Sequence, residues 1–257
     1  MKNFLLILLT IGCGAFLFIG NMYWQERTAV SSYGHHSLEA DSDPSPVEEK
    51  PASILNSNWP EKAQRDYQAA KEKGQTYKLA IVGSPSLGKD ENGWSVQLKE
   101  DLEKNYGETL EVSIFQYDTD TSHFINGEES DEVISYSPDL VLFEPFSLIN
   151  NSVGVLPTDN HYSINIFMKK LKGANENTVL ILQPPHPVYG ATFYPKNIEE
   201  LKDYAEENDI TYLNHWEDWP TDESLRDLLV HSQDTPNEKG HSIWADYLKD
   251  YFISGQE

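Results

Sequence analysis

The chain has 257 residues, 42 of them acidic and 19 basic, for a formal charge of −23. That length supports one domain of ordinary size plus extensions, and 6 Trp, 14 Tyr and 10 Phe are too many for a disordered body. The charge excludes a nucleic-acid binder, which needs clustered Lys and Arg, and a single cysteine, Cys13, excludes disulfide scaffolds, CxxC redox sites and Cys-based zinc knuckles.

The first predicted element is apolar. From Phe4 to Trp24 the one strongly polar side chain is Asn21, and at about 1.5 Å per residue such a run is roughly 30 Å long, enough to cross a bilayer core. Tyr23 and Trp24 close it as interfacial aromatics do. Residues 1–24 therefore read as an uncleaved single-span membrane helix, ahead of a lipoprotein modified at Cys13 or a cleaved signal peptide. Lys2 on the short side puts the N-terminus in the cytoplasm and the rest of the chain outside the cell membrane. Residues 25–57, with Asp43-Pro44-Ser45-Pro46-Val47-Glu48-Glu49-Lys50-Pro51 at their centre, bury too little apolar surface to order themselves and read as an acidic tether.

Residues 58–257 form the folded domain in this reading. Pro60 at a helix start and Gly74 as its stop bracket a first helix. Lys78–Gly83 reads as a short apolar strand. Trp94, Leu98, Leu102 and Tyr106 recur at helical spacing, and Leu110–Tyr117 alternates as a strand. Asp139–Glu144 and Thr178–Gln183 read as buried strands, and a short strand is placed near Ile210–Leu213. Helices are expected over Tyr162–Leu171, Ile198–Asn208 and Gly240–Phe252. Apolar strands alternating with amphipathic helices predict a three-layer α/β/α sandwich around a parallel sheet, flavodoxin-like in kind. In such sheets functional groups collect at the carboxyl ends of the strands.

Those ends are chemically unusual. The first strand runs into Gly83-Ser84-Pro85-Ser86-Leu87-Gly88. The third runs into Glu144-Pro145-Phe146-Ser147-Leu148-Ile149-Asn150-Asn151, read as an amide-bearing loop. The fourth runs into Gln183-Pro184-Pro185-His186-Pro187, and the loop before the last helix carries Asp234-Thr235-Pro236-Asn237-Glu238-Lys239-Gly240-His241. A hydroxyl at a strand-to-helix turn needs an adjacent base, and a tetrahedral oxyanion needs pre-aimed donors. No HxxxH, HExxH, GxGxxG or GxxxxGK[ST] spacing occurs, so neither a metal nor a nucleotide cofactor is expected.

In this block order, over about residues 78–252, the chain resembles the SGNH (GDSL-type) hydrolases. Pro236-Asn237-Glu238-Lys239-Gly240-His241, Pro138-Asp139-Leu140-Val141-Leu142 and Asn92-Gly93-Trp94 carry the resemblance. It implies a serine nucleophile in the first block, an oxyanion hole built from backbone N–H, Gly and Asn, and a D-x-x-H pair in the last block. The departures are equally plain. Gly-Asp-Ser-Leu is replaced by Gly83-Ser84-Pro85-Ser86-Leu87, leaving Ser84 and Ser86 as nucleophile candidates; Ser84 is preferred because it follows the strand directly and Pro85 fixes its turn. The D-x-x-H register falls on Ser232 and Thr235, so Asp234 and His241 stand as the nearest acid and base. Gly88, Asn150, Asn151 and His215 are the candidate oxyanion or substrate-binding residues, and His186 borders the site. Trp216 and Trp219 either stack on a sugar face or belong to the core.

The expected activity is extracytoplasmic hydrolysis of acyl esters, O-acetyl esters among them, of a cell-envelope carbohydrate or lipid through an acyl-enzyme. The alternatives are an O-acyltransferase and an inactive module that binds glycan or an envelope partner. A histidine within about 3–4 Å of Ser84 or Ser86 Oγ discriminates enzyme from binding module.

Overall fold

A computed structural model describes residues 55–89 and 92–253. The apolar segment and most of the tether lie outside the described residues. Among those described, no helix is long and apolar enough to cross a membrane.

Helix α1 (Glu61–Glu72) begins after Pro60 and ends before Gly74, which sits at φ +64° where a side chain would be strained. Strand β1 (Tyr77–Gly83), helix α2 (Trp94–Tyr106) and strand β2 (Leu110–Gln116) follow. Next come α3 (Thr121–Asn126), α4 (Glu128–Tyr136) and β3 (Leu140–Phe143). A short helix α5 (Ser147–Val153), the long α6 (Pro157–Ala174) and β4 (Val179–Leu182) lead into the C-terminal part. There α7 (Tyr194–Glu207), β5 (Thr211–Tyr212) and α8 (Glu238–Phe252) complete the domain.

The five strands are parallel, in the order β2-β1-β3-β4-β5. β1 is central, and its side chains alternate between two cores as the period of a strand requires. Tyr77, Leu79 and Ile81 pack with Trp94, Leu98, Trp244, Leu248 and Phe252, the layer of α1, α2 and α8. Ala80 and Val82 pack with Phe124, Val133, Phe143, Phe167 and Leu201, the layer of α3, α4, α6 and α7. Burying a strand on both faces is what makes its sequence read as a continuous apolar run. The chain order reverses between β1 and β3, so the crevice beyond their carboxyl ends is the natural place for a site.

Three elements differ from the sequence reading. Ser147–Asn151, read as a loop, belongs to helix α5, although two Asn give it weak intrinsic propensity. Its first N–H, that of Ser147, finds the Glu144 carboxylate at 3.2 Å, which satisfies one of the orphan donors of the helix start. Helices α3 and α4 were also not anticipated. The signal for α3 was local, since Asp120 caps it by accepting from the N–H groups of Ser122 and His123.

Candidate active site

The turn after β1 is a single 3₁₀ turn over Pro85–Leu87, with Ser84 as its N-cap and Gly88 at φ +67° closing it. Ser84 Oγ accepts the Ser86 N–H at 3.3 Å, and the Trp94 indole N–H holds the Ser86 carbonyl at 2.9 Å. Both serines line a cleft of about 510 Å³. Leu148, Ile149, Asn151 and Ser152 of α5 line it too, with Asp118, Val188 and Ser232–Thr235. Val188 also borders a second groove, of about 260 Å³, which includes Tyr189, Trp216 and Trp219.

A histidine does reach a serine, and it is His186. Its Nδ1 lies 3.1 Å from Ser86 Oγ, and its Nε2 lies 3.0 Å from the Gln233 carbonyl oxygen. A carbonyl can only accept, so Nε2 carries the proton and Nδ1 presents its lone pair to the Ser86 hydroxyl. This is the tautomer a general base needs. His186 is fully buried, and burial pushes its pKa down to about 4, so the ring is neutral at pH 7. The nearby Asp234 carboxylate pulls the other way, favouring the imidazolium.

The other candidates fall into distinct places. Ser84 lines the cleft, but its hydroxyl is engaged with the Ser86 N–H and faces Glu144 rather than a histidine. His241 does not meet either serine. Its Nδ1 accepts the Trp94 N–H at 3.2 Å, and its Nε2 is buried without a hydrogen-bond partner. Burial alone takes its pKa to about 4. Asp234 therefore does not orient His241; it is exposed on the cleft rim, where its charge acts on His186.

Gly88 faces His241 instead of the cleft. A Cβ there would come within 2.7 Å of the His241 ring, which explains the glycine by close packing as well as by its φ. Asn150 spends both amide hydrogens internally, on Thr121 Oγ1 at 2.7 Å and the Pro145 carbonyl at 3.0 Å, and accepts the Thr121 N–H. It joins the start of α3 to α5 and has no donor left for an oxyanion. Asn151 does line the cleft; its Oδ1 accepts from Asn197, which leaves its own amide hydrogens for a ligand.

His215 is a core residue. It stacks on Trp244 at 3.9 Å, hydrogen-bonds the Pro184 carbonyl through Nε2, and accepts the Trp219 indole N–H at Nδ1. With both ring nitrogens satisfied and a pKa lowered by burial to about 3, it is a neutral structural bridge. Trp219 is buried with it, whereas Trp216 is half-buried and lines the second groove.

Two residues of the site carried weak sequence signals. Glu144 announced itself only as an acid at the end of an apolar strand. Gln233 contributes a backbone carbonyl, which no side-chain pattern reveals, and does so from a left-handed conformation at φ +62°.

No family model and no curated protein matches the sequence. Solved structures do match in fold. A lipolytic protein of the G-D-S-L family from Desulfitobacterium hafniense DCB-2 is 18% identical with a TM-score of 0.57, the match covering 68% of this chain and 99% of that one. The esterase EstA of Pseudoalteromonas sp., solved with monoethylphosphonate as inhibitor, is 17% identical at a TM-score of 0.53, covering 68% and 95%. A carbohydrate esterase of family 3 from Talaromyces cellulolyticus is 12% identical at 0.57, again covering 68% and 95%. The domain thus has the α/β fold of the GDSL-type lipases and esterases.

Proposed function

We propose that the chain is a serine ester hydrolase of the SGNH type whose nucleophile is Ser86 and whose base is His186. The observation that carries the reading is the 3.1 Å contact between Ser86 Oγ and the unprotonated Nδ1 of a histidine tautomerically fixed by the Gln233 carbonyl. As Ser86 Oγ attacks an acyl carbon, its proton passes to His186 Nδ1. The imidazolium then returns that proton to the leaving alkoxide, and water repeats the sequence on the acyl-enzyme. The Gln233 carbonyl fixes the tautomer, and the Asp234 charge favours the imidazolium, dividing between them the work of a triad acid. The Asn151 amide, which lines the same cleft as Ser86, is the side-chain donor for the oxyanion.

The substrate in this reading is an acyl ester of a cell-envelope carbohydrate or lipid. The aromatic groove beside the cleft suits the apolar face of such a molecule. The apolar run at 4–24 and the polar stretch after it support a membrane-tethered, extracytoplasmic domain. A fluorophosphonate probe tests the chemistry: wild type is labelled, Ser86→Ala and His186→Ala are not, and Ser84→Ala is. A well-folded wild type that resists the probe contradicts an activated serine and favours the binding module.

A further inference from the structure

Glu144 has no part in the proton transfers above, yet it is the one fully buried carboxyl group of the described residues and bonds the turn that carries both serines. It follows the last residue of β3, beside the end of β1. Gly83 makes room for it, since a Cβ at Gly83 would lie 2.9 Å from Glu144 Cβ and 3.0 Å from its Oε2. Its two oxygens then reach different segments of the chain. Oε2 accepts the Ser84 N–H at 2.9 Å, at the head of the nucleophile turn. Oε1 accepts the Ser147 N–H at 3.2 Å, at the head of α5. The Ser84 hydroxyl lies near the carboxylate, acts to lower its pKa, and receives the Ser86 N–H.

Backbone N–H groups around a buried carboxylate usually serve only to satisfy it. Here the pattern does more, because the bonded groups belong to two separate segments, 84–88 and 145–153, that share no other hydrogen bond among the described residues. The backbone of the loop is bent to allow this, with Phe146 at φ +55°, a conformation that a bulky residue adopts only under tertiary constraint. Phe146 is itself anchored among Phe124 and Phe143. Behind the carboxyl, Tyr194 of α7 is the neighbouring titratable group, and its hydroxyl donates to the His186 carbonyl at 2.9 Å. One buried group thus stands in contact with the nucleophile turn and next to the segment that carries the base.

We propose that Glu144 is a positioning residue: it latches the Ser84–Ser86 turn to the start of α5 and thereby holds Ser86 Oγ in line with His186. The inference rests on Ser86 acting as the nucleophile. Replacement by Gln is the sharp test, because both carboxyl oxygens accept an N–H and an amide group must turn its own hydrogens onto one of them. One latch then opens while size and packing are kept. A shift of the turn of about 1 Å costs on the order of 100-fold in rate.

The experiment uses the full chain and two readouts, the rate of phosphonylation by a fluorophosphonate probe and the hydrolysis of p-nitrophenyl acetate. Glu144→Gln is expected to remain folded by circular dichroism while labelling and kcat fall about 100-fold and KM moves by less than about threefold. A purely structural role would instead lower the melting temperature and leave the rate of the folded fraction intact. Ser84→Ala, which removes only the hydroxyl link, is expected to slow labelling about tenfold with the adduct still on Ser86; it decides the matter should Glu144→Gln fail to fold. Labelling of folded Glu144→Gln within about threefold of wild type, or an unchanged rate in Ser84→Ala when the Gln variant does not fold, overturns the inference. Wild type that is not labelled at all refutes the nucleophile itself, a separate outcome.

Discussion

Acid should destabilise this domain well above the pH at which most carboxylates titrate. Three histidines are buried as neutral rings: His186 and His241 with pKa values lowered to about 4, and His215 to about 3. The unfolded value is about 6.5. Between those limits the unfolded chain binds protons that the folded chain refuses. Stability is therefore fully present above the unfolded value and is lost as pH falls from there toward the folded pKa. Between pH 7 and pH 5 each ring accounts for about 2 kcal/mol, or about 6 kcal/mol together. Glu144 works in the opposite direction: its pKa is raised by burial, so it contributes more below its folded pKa and less above it. That offsets part of the loss over the same interval, and the three rings together outweigh the single carboxyl group. Urea unfolding at pH 7 and pH 5 measures the difference. His241→Asn supplies an internal control, since Oδ1 of Asn can take over the Trp94 N–H that Nδ1 now accepts. Its pH dependence should shrink by about one ring's share, about 2 kcal/mol. A midpoint that is equal at the two pH values, or higher at pH 5, refutes the reasoning.

Further outcomes follow from the same geometry. The kcat/KM profile for p-nitrophenyl acetate should keep rising with pH only up to about pH 4, because His186 must be deprotonated to act as base and is already neutral above its lowered pKa; an acid limb at the ordinary histidine pKa would show that the ring is not held as described. Asp234→Asn should slow turnover by less than about tenfold, since an exposed charge acting across solvent is worth roughly 1 kcal/mol, and the same substitution should lower the pH of the acid limb. Gly88→Ala should lose about 2–5 kcal/mol of stability from the left-handed backbone and from a Cβ that meets His241 and Gly93, read as a lower urea midpoint.

The sheet was legible in the sequence because its strands are buried on both faces. Lys78–Gly83 missed only the first residue of β1, and Asp139–Glu144 and Thr178–Gln183 overran β3 and β4 by one residue at each end. Helix α2 was legible to the residue, since Trp94, Leu98, Leu102 and Tyr106 all face one core. The segments that escaped, α3, α4 and α5, are short and rich in polar residues: Asp120 caps α3, Phe124 and Val133 anchor α3 and α4 in the core, and the Glu144 carboxylate takes the first N–H of α5. At the strand ends and in the loop before α8, Ser84, Ser86, Asn151 and Asp234 all line one cleft. The pairing within it was not legible. Motif register fell on Ser232 and Thr235, leaving His241 as the nearest base, but the ring that reaches a serine comes from the β4 end, and its partner is a main-chain carbonyl. Nor does spacing tell a histidine in a cleft from one stacked on Trp244, which is the fate of His215.

The central claim is that Ser86, not Ser84, is the nucleophile, and mass spectrometry of the fluorophosphonate adduct tests it most directly. Trypsin cuts after Lys78 and Lys89, placing both serines in one peptide, and Pro85 between them favours fragmentation at the Ser84–Pro85 bond. The account predicts that the added mass stays with the C-terminal fragment, on Ser86, and that it disappears in His186→Ala. An adduct retained on the N-terminal fragment, at Ser84, would contradict it.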